Sequence, residues 1–429
     1  MVELSVRRTA AARHRSLLRL AAGSLAVAAL AGCVSSGTRT DYAYDPAHGV
    51  GSPEFLRSLA GLRNGMVRGN AVTLLENGDG LFPDLLRSIA GAKGSVNIEI
   101  YIFDDGEIGR SIAAALCERA RAGVAVRVLV DDFGSRLGAL AGEMRAAGVN
   151  FRIYKPIRIY SLGHIGHRTH RKLVTIDGRI GYCGGFAFDD RWRGDARNPQ
   201  EWRDLAVRVE GPAVRQLQRV FMEDWVHTTG EVLHGDAQFG AVERAGDVMV
   251  QVVSSSRTDQ SSMSKLMLYM AIQAARHTIW IENAYFVPDA QIRRALVRAA
   301  SRGIDVRIVV PGPDIDIPAI RRASRYHYGE LLDAGVKIYE FQPTMLHTKA
   351  MVVDGIWTTV GSINFDARSM KKNAEANVVV YDRGFAAAVA AVVEKDLARS
   401  KELTKRAWAK RGLWDRLREV GASLFSEMY

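Results

Sequence analysis

Cysteine is scarce: three in 429 residues, at positions 33, 117 and 183. No Cys-x2-Cys pair exists, which argues against a thiolate zinc site. The apolar run from Leu20 to Ala31 falls short of the roughly 20 residues a membrane-spanning helix needs. Acid is the scarcer charge, with 47 Asp and Glu against 58 Lys and Arg, a formal net charge of +11. That excess suits anionic partners such as phospholipid headgroups, a membrane surface or nucleic acid, without choosing among them. Apolar residues at 48% and charged residues at 24% are the balance of a globular protein. The length allows two domains of ordinary size.

The N-terminus reads as an export signal: five arginines between Arg7 and Arg19, the short apolar run, then small residues. Leu30-Ala31-Gly32-Cys33 resembles a bacterial lipobox, which implies cleavage before Cys33 and acylation of its thiol. Val34 is not an Asp retention signal, so either an inner or an outer membrane fits. Residues 1–32 are therefore expected as a signal peptide and 33–64 as a polar tether. Cys117 and Cys183 sit in apolar runs and are expected as buried free thiols.

The chain is written twice. His170-Arg-Lys-Leu-Val-Thr-Ile-Asp-Gly178 and His347-Thr-Lys-Ala-Met-Val-Val-Asp-Gly355 both read H-x-K-x4-D-G, 177 residues apart. Strand patterns at Val96–Phe103, Val124–Val130 and Val149–Tyr154 precede the first copy, and Thr278–Asn283, Ile304–Val310 and Val336–Phe341 precede the second. Helical stretches lie between, each closed by a glycine at 123, 148, 303 or 335. Glu99 matches Glu282, Gly123 matches Gly303 and Gly148 matches Gly335, at nearly constant offset, as a duplication requires. Alternating strands and helices predict α/β layers with helices on mainly parallel sheets. The halves are expected at 65–230 and 247–405, with a connector at 231–246 and an amphipathic tail at 406–429. That tail mixes tryptophans with basic residues and fits equally a membrane interface or packing on the protein.

Residues two apart on a strand face one way, so His170 and Lys172 face together, as do His347 and Lys349. A lysine offers a cation to phosphate oxygens. Gly184-Gly185 and Gly361-Ser362 allow backbone N–H groups near an anion, and Asn364 adds a donor. Asp177 and Asp354 are expected to form turns rather than touch substrate. Two imidazoles, one neutral and one protonated, can cleave a phosphodiester by attack on phosphorus and protonation of the departing oxygen. An ordinary histidine pKa of about 6.5 makes both states accessible. Asp204 and Glu375 are candidates to orient the rings, with crossed pairing between halves one arrangement. No metal or cofactor is required. His164, His167 and His170 have metal-like spacing, but Pro156, Gly163 and Gly166 argue against a helix there. Glu99 and Glu282, carboxylates on apolar strands, are expected in structural ion pairs beneath the site.

The double H-x-K-x4-D motif, with Gly-Gly and Gly-Ser-x-Asn following, resembles the phospholipase D superfamily over about residues 65 to 405. Ile100-Tyr-Ile-Phe103, Gly211-Pro-Ala-Val214 and Asn364-Phe-Asp-Ala-Arg-Ser369 look like bacterial cardiolipin synthases. The resemblance implies two α/β halves about a pseudo-twofold axis with one shared active site. It implies His170 as nucleophile, His347 as acid, Lys172, Lys349 and Asn364 on phosphate, and Asp204 and Glu375 as orienting carboxylates. Ser362 and Gly185 join the expected phosphate set. Ala187 departs from the pattern where the family often has Asn. The expected activity is phosphatidyl transfer to phosphatidylglycerol or a similar alcohol at a membrane surface. Phosphatidylethanolamine is a further candidate substrate and nucleic acid is not expected as one. Hydrolysis of lipid or nucleic acid by the same chemistry is the alternative.

Overall fold

Strand β1 (Val67–Glu76) and strand β8 (Val248–Ser255) pair antiparallel at the centre of the molecule, and everything else is arranged about that seam. The computed structural model describes residues 41–61, 65–156, 168–255 and 263–425. After helix α1 (Pro53–Ala60), the first half runs β1, α2 (Asn77–Ala90), β2 (Ser95–Ile100), α3 (Glu107–Arg121), β3 (Ala125–Asp131), α4 (Leu140–Ala146) and β4 (Asn150–Tyr154). It continues through β5 (Leu173–Ile176), β6 (Ile180–Gly184), β7 (Leu205–Glu210) and α5 (Val214–Thr229). A short helix, α6 (Asp236–Phe239), leads to the second half.

The second half repeats the order: β8, α7 (Met263–Ala274), β9 (Thr278–Asn283), α8 (Ala290–Ser301), β10 (Asp305–Pro311), α9 (Pro318–Tyr326), α10 (Tyr328–Asp333) and β11 (Lys337–Phe341). Then come β12 (Lys349–Val353), β13 (Trp357–Gly361), α11 (Ala367–Lys371), β14 (Glu375–Tyr381) and α12 (Arg383–Ala398). A short edge strand β15 (Ser400–Glu402) and helices α13 (Lys405–Ala409) and α14 (Leu413–Ser423) follow.

All strands of the described residues join one sheet in the order β15-β11-β10-β9-β12-β13-β14-β8-β1-β7-β6-β5-β2-β3-β4. Outward from the seam, the two wings carry equivalent strands in the same sequence, so the duplication is spatial as well as linear. The expectation of mainly parallel sheets needs correction. Only β9-β10-β11 and β2-β3-β4 run parallel, and the strands between them pair antiparallel. The reason is local. The parallel strands are joined through helices, whereas β5-β6 and β12-β13 are hairpins around the Asp-Gly turns at 177–178 and 354–355.

Those two aspartates fix the hairpins to the sheet. Asp177 has a positive φ of 52° and accepts from the N–H groups of Lys93, Gly94 and Ser95. Asp354, with φ 51°, does the same for Arg276, His277 and Thr278. Both therefore clamp the start of the strand that leads to the site, in keeping with their expected turn role.

The helix-closing glycines at 123, 148, 303 and 335 all have positive φ, the conformation a C-cap needs. The second-half helical stretch closed by Gly335 is broken at His327 into α9 and α10. Apolar packing crosses the seam. Leu217, Phe221 and Trp225 of α5 share one buried cluster with Val378 of β14 and Phe385 and Val389 of α12. Each such fully buried side chain contributes about 1.5–3 kcal/mol, so the halves share a core. Part of the expected tether belongs to this body as well: Val50, Phe55 and Leu59 are buried. Cys117 and Cys183 are buried free thiols. No helix among the described residues is long and apolar enough to cross a membrane.

Candidate active site

Two crossed bridges bring the motifs together. The N–H of His170 donates to the carbonyl of Ala374 at 2.8 Å, and the N–H of His347 donates to that of Arg203 at 2.7 Å. Each histidine is thus laid against the strand entry of the opposite half, one residue before the carboxylate it meets. His170 Nδ1 lies 3.1 and 3.0 Å from the two oxygens of Glu375. His347 Nδ1 lies 2.8 Å from Asp204 Oδ2. The crossed pairing is what the fold produces.

With Nδ1 held by a carboxylate, Nε2 is the nitrogen each ring can offer for chemistry, and that of His347 is met by Lys349 Nζ at 3.0 Å. Both rings line one cavity of about 260 Å³. Its wall also holds Lys172, Asn364, Tyr101, Trp192, Trp202, Tyr285, Arg191 and Arg368.

The carboxylates are themselves positioned. Asp204 accepts from Trp192 Nε1 at 2.8 Å and from the N–H of Leu205 at 2.8 Å. Glu375 accepts from Ser362 Oγ at 2.5 Å and Ser369 Oγ at 2.6 Å. Ser362 was expected at the phosphate. It is fully buried and its hydroxyl is engaged with the carboxylate, so its place is behind the ring. Gly185 is likewise displaced from the phosphate set. Its N–H donates to Leu205, and a Cβ there would come within 2.3 Å of Asp204 Oδ1. Glycine at 185 makes room for the carboxylate.

Lys349 Nζ lies 2.9 and 3.0 Å from the ring nitrogens of His347. Lys172 Nζ donates to the His170 carbonyl at 2.7 Å and sits 5.0 Å from the centre of the Tyr101 ring. Asn364 is buried, and its Oδ1 has no hydrogen-bond partner. The ring of Trp192 meets His347 edge-on with centroids 5.0 Å apart, and Tyr101 does the same to His170 at 5.1 Å. Sequence reasoning gave these aromatics and Ser369 no role at the site, although Tyr101 and Ser369 fall within stretches that resemble cardiolipin synthases and Trp192 stands at the motif offset of 177 from Ser369.

Burial pushes the His170 pKa down to about 4, with the adjacent lysine cations adding to the effect and Glu375 opposing it. His347 is lowered to about 3 by burial and by Lys349, against the pull of Asp204. This corrects the expectation of near-ordinary histidines: without ligand, both rings are neutral at pH 7. Burial also lowers Lys172 to about 7 and Lys349 to about 8. Glu375 and Asp204 resist burial because their imidazole partners hold them below the usual carboxylate range. Around the two imidazoles stand two lysines and two carboxylates, and Lys172 titrates close to pH 7. A phosphodiester monoanion adds one negative charge, which one proton shared by the imidazoles balances.

Beneath the site lie the two strand glutamates. Thr169 Oγ1 donates to Glu99, and Arg171 turns away from the cavity to bridge Asp224 at 2.9 Å. Arg203 bridges Asp396 at 2.6 Å beside Glu282. Burial raises both glutamates well above the ordinary range, which favours their neutral form. The expected ion pairs at the glutamates are therefore not formed: the arginines pair with Asp224 and Asp396 instead. Cys33, His164 and His167 lie outside the described residues.

Comparison with known proteins agrees with this construction. The family model described as "Cardiolipin synthase, PLD-like domain" matches residues 85–225 and 268–397. The chain is 36% identical over 361 residues to a probable cardiolipin synthase of Bacillus subtilis, covering 83% of this chain and 71% of that one. It is 34% identical over 362 residues to cardiolipin synthase of Staphylococcus aureus, covering 83% and 73%. The fold resembles that of phosphatidylserine synthase from Haemophilus influenzae, with a TM-score of 0.66 at 12% identity, covering 87% of this chain and 98% of that one. The chain belongs to the cardiolipin synthase family, a phosphatidyltransferase branch of the phospholipase D superfamily.

Proposed function

We propose that the protein transfers a phosphatidyl group to phosphatidylglycerol through a covalent phosphohistidine. The crossed pairing of two imidazoles with two carboxylates around one cavity carries this reading. Nε2 of His170 attacks phosphorus as the bond to the departing alcohol oxygen breaks, and His347 delivers a proton to that oxygen. In the second step His347 takes the proton of the acceptor hydroxyl. That oxygen then attacks phosphorus and the P–N bond breaks. Lys172, Lys349 and Asn364 hold the non-bridging oxygens, and Glu375 stabilises the His170 cation.

The reading includes a membrane surface. Helix α14 is anchored by buried Glu419, which accepts from Arg325 at 3.3 Å and Arg411 at 3.0 Å. Its Leu413, Trp414 and Leu417 are exposed, and basic Arg416 and Arg418 flank them. Such a face suits an anionic lipid interface. Export and acylation at Cys33 complete the proposal by placing the enzyme on a membrane outside the cytoplasm.

The test is incubation of purified protein with phosphatidylglycerol vesicles, with lipids separated by chromatography. A product with two phosphates and released glycerol is expected. Release of headgroup with phosphatidic acid alone would instead make water the acceptor, and no turnover would remove the assignment.

A further inference from the structure

The two halves repeat the same order of elements around the catalytic groups, yet their cavity walls differ. Asp189 and Arg191 of the first half correspond to Asp366 and Arg368 of the second, at the motif offset of 177. Trp202 and Asn373 correspond as well, each two residues before its half's carboxylate. All of these except Asp189 line the cavity.

On the first-half wall, the arginine is satisfied. Arg191 forms a paired contact with Asp189, Nε to Oδ1 and another guanidinium nitrogen to Oδ2, both at 2.9 Å. Its guanidinium also stacks on Trp202, 4.7 Å from the ring centre. On the second-half wall, Asp366 does not take up the equivalent bond. It accepts instead from the N–H of Ser369 at 2.8 Å. Arg368 makes no side-chain hydrogen bond or ion pair with any described residue. Where Trp202 covers its arginine, the second half has Asn373, whose Oδ1 is buried and without a partner. Asn364 on the same wall is in the same condition, while its first-half counterpart is Ala187. An amide oxygen does not bind an anion, but each asparagine also carries an Nδ2 donor, so Arg368, Asn364 and Asn373 bring three donor-bearing side chains to one wall where the first half has a paired arginine, an alanine and a tryptophan.

We propose that Arg368, with Asn373, forms a second phosphate subsite that holds the acceptor lipid's own phosphate. This rests on the phosphatidyl-transfer reading and says what that reading leaves open: why a lipid is chosen over a simple alcohol. In phosphatidylglycerol the accepting hydroxyl and the phosphate sit on opposite ends of one glycerol. A guanidinium recognises a phosphate diester through paired N–H groups. The reacting phosphate stays with the histidines and lysines, and the guanidinium reads the second one. Asp316 and Asp366 also face the cavity. Asp316 is engaged with the Tyr285 hydroxyl at 2.7 Å and Asp366 with its helix, so neither neutralises Arg368 by direct contact.

The test uses the full-length protein with phosphatidylglycerol as donor and two soluble labelled acceptors, glycerol and glycerol 3-phosphate. These share the accepting group and differ by the phosphate. Wild type is expected to prefer the phosphorylated acceptor in kcat/KM. Arg368→Ala should reduce that preference by about tenfold or more, mainly through KM, and Arg368→Lys should recover part of it. Arg191→Ala should leave the preference within about twofold, whatever its effect on overall rate. Equal loss with both acceptors in Arg368→Ala, or a wild type indifferent to the phosphate, would overturn the subsite. A wild type that labels no lipid with either acceptor would remove the transfer reading itself.

Discussion

Glu375 reaches back across 205 residues of sequence to hold Nδ1 of His170 at 3.0 Å. In the proposed mechanism the bond does two things: it fixes the tautomer with Nε2 free, and it stabilises the ring once phosphorus is attached. Glu375→Gln keeps the shape and removes the charge. Its kcat is expected to fall about 10³–10⁴-fold, with the circular dichroism spectrum and melting curve close to wild type. His170→Ala should abolish turnover, and retention of full activity would defeat the assignment.

The charge balance of the cavity predicts a ligand-dependent pKa. Burial holds His170 at about 4 and His347 at about 3, so their NMR resonances in the free protein should remain those of neutral rings from pH 7 down to about pH 5. An anion placed between Lys172 and Lys349 favours the cationic ring and raises its pKa. Added inorganic phosphate or tungstate should therefore shift at least one titration upward, into the interval between 4 and 6.5. Unmoved resonances would show that substrate charge does not supply the proton's stabilisation.

Asp177 and Asp354 each satisfy three consecutive backbone donors. Asp354→Ala leaves those N–H groups without their acceptor and is expected to cost about 2–4 kcal/mol, read from the midpoint of urea unfolding. Activity measured well below the melting temperature should survive. A large loss of kcat in a protein of unchanged stability would contradict the clamp role.

Trp414 and Leu417 lie on the exposed face of α14. Replacing both by Glu should weaken sedimentation with vesicles rich in phosphatidylglycerol about tenfold or more, without loosening the fold. Wild-type binding should fall as salt rises if the neighbouring arginines contribute. Vesicle binding that ignores both changes would place the membrane contact elsewhere.

Cys33→Ser should eliminate incorporation of labelled palmitate in cells and leave the uncleaved chain on a gel. Labelling that persists would assign the lipid to another position.

The candidate catalytic residues that the fold brings together were readable because they lie in a repeated string. His170, His347 and the lysines followed from H-x-K, and the carboxylates from their place in the strands downstream. Helix ends were readable because glycine past a helix has few other uses. The antiparallel strands at the seam were less so. Ala71 to Leu75 on β1 is a short apolar run broken only by Thr73, without the alternation that marks a strand, and only long-range pairing makes it central. Ser362 was misplaced for a similar reason. A serine after glycine beside a phosphate motif resembles a ligand donor until the strand path shows the hydroxyl pointing at Glu375. The stacking partners of His347 came from Trp192 and Trp202, whose neighbourhood only the fold assembles.

Because each imidazole is steadied from the far wing, a fragment cut at the 230s would carry its reactive ring without the group that readies it. Two such fragments made as separate polypeptides would be inert alone and active only after re-mating along β1 and β8.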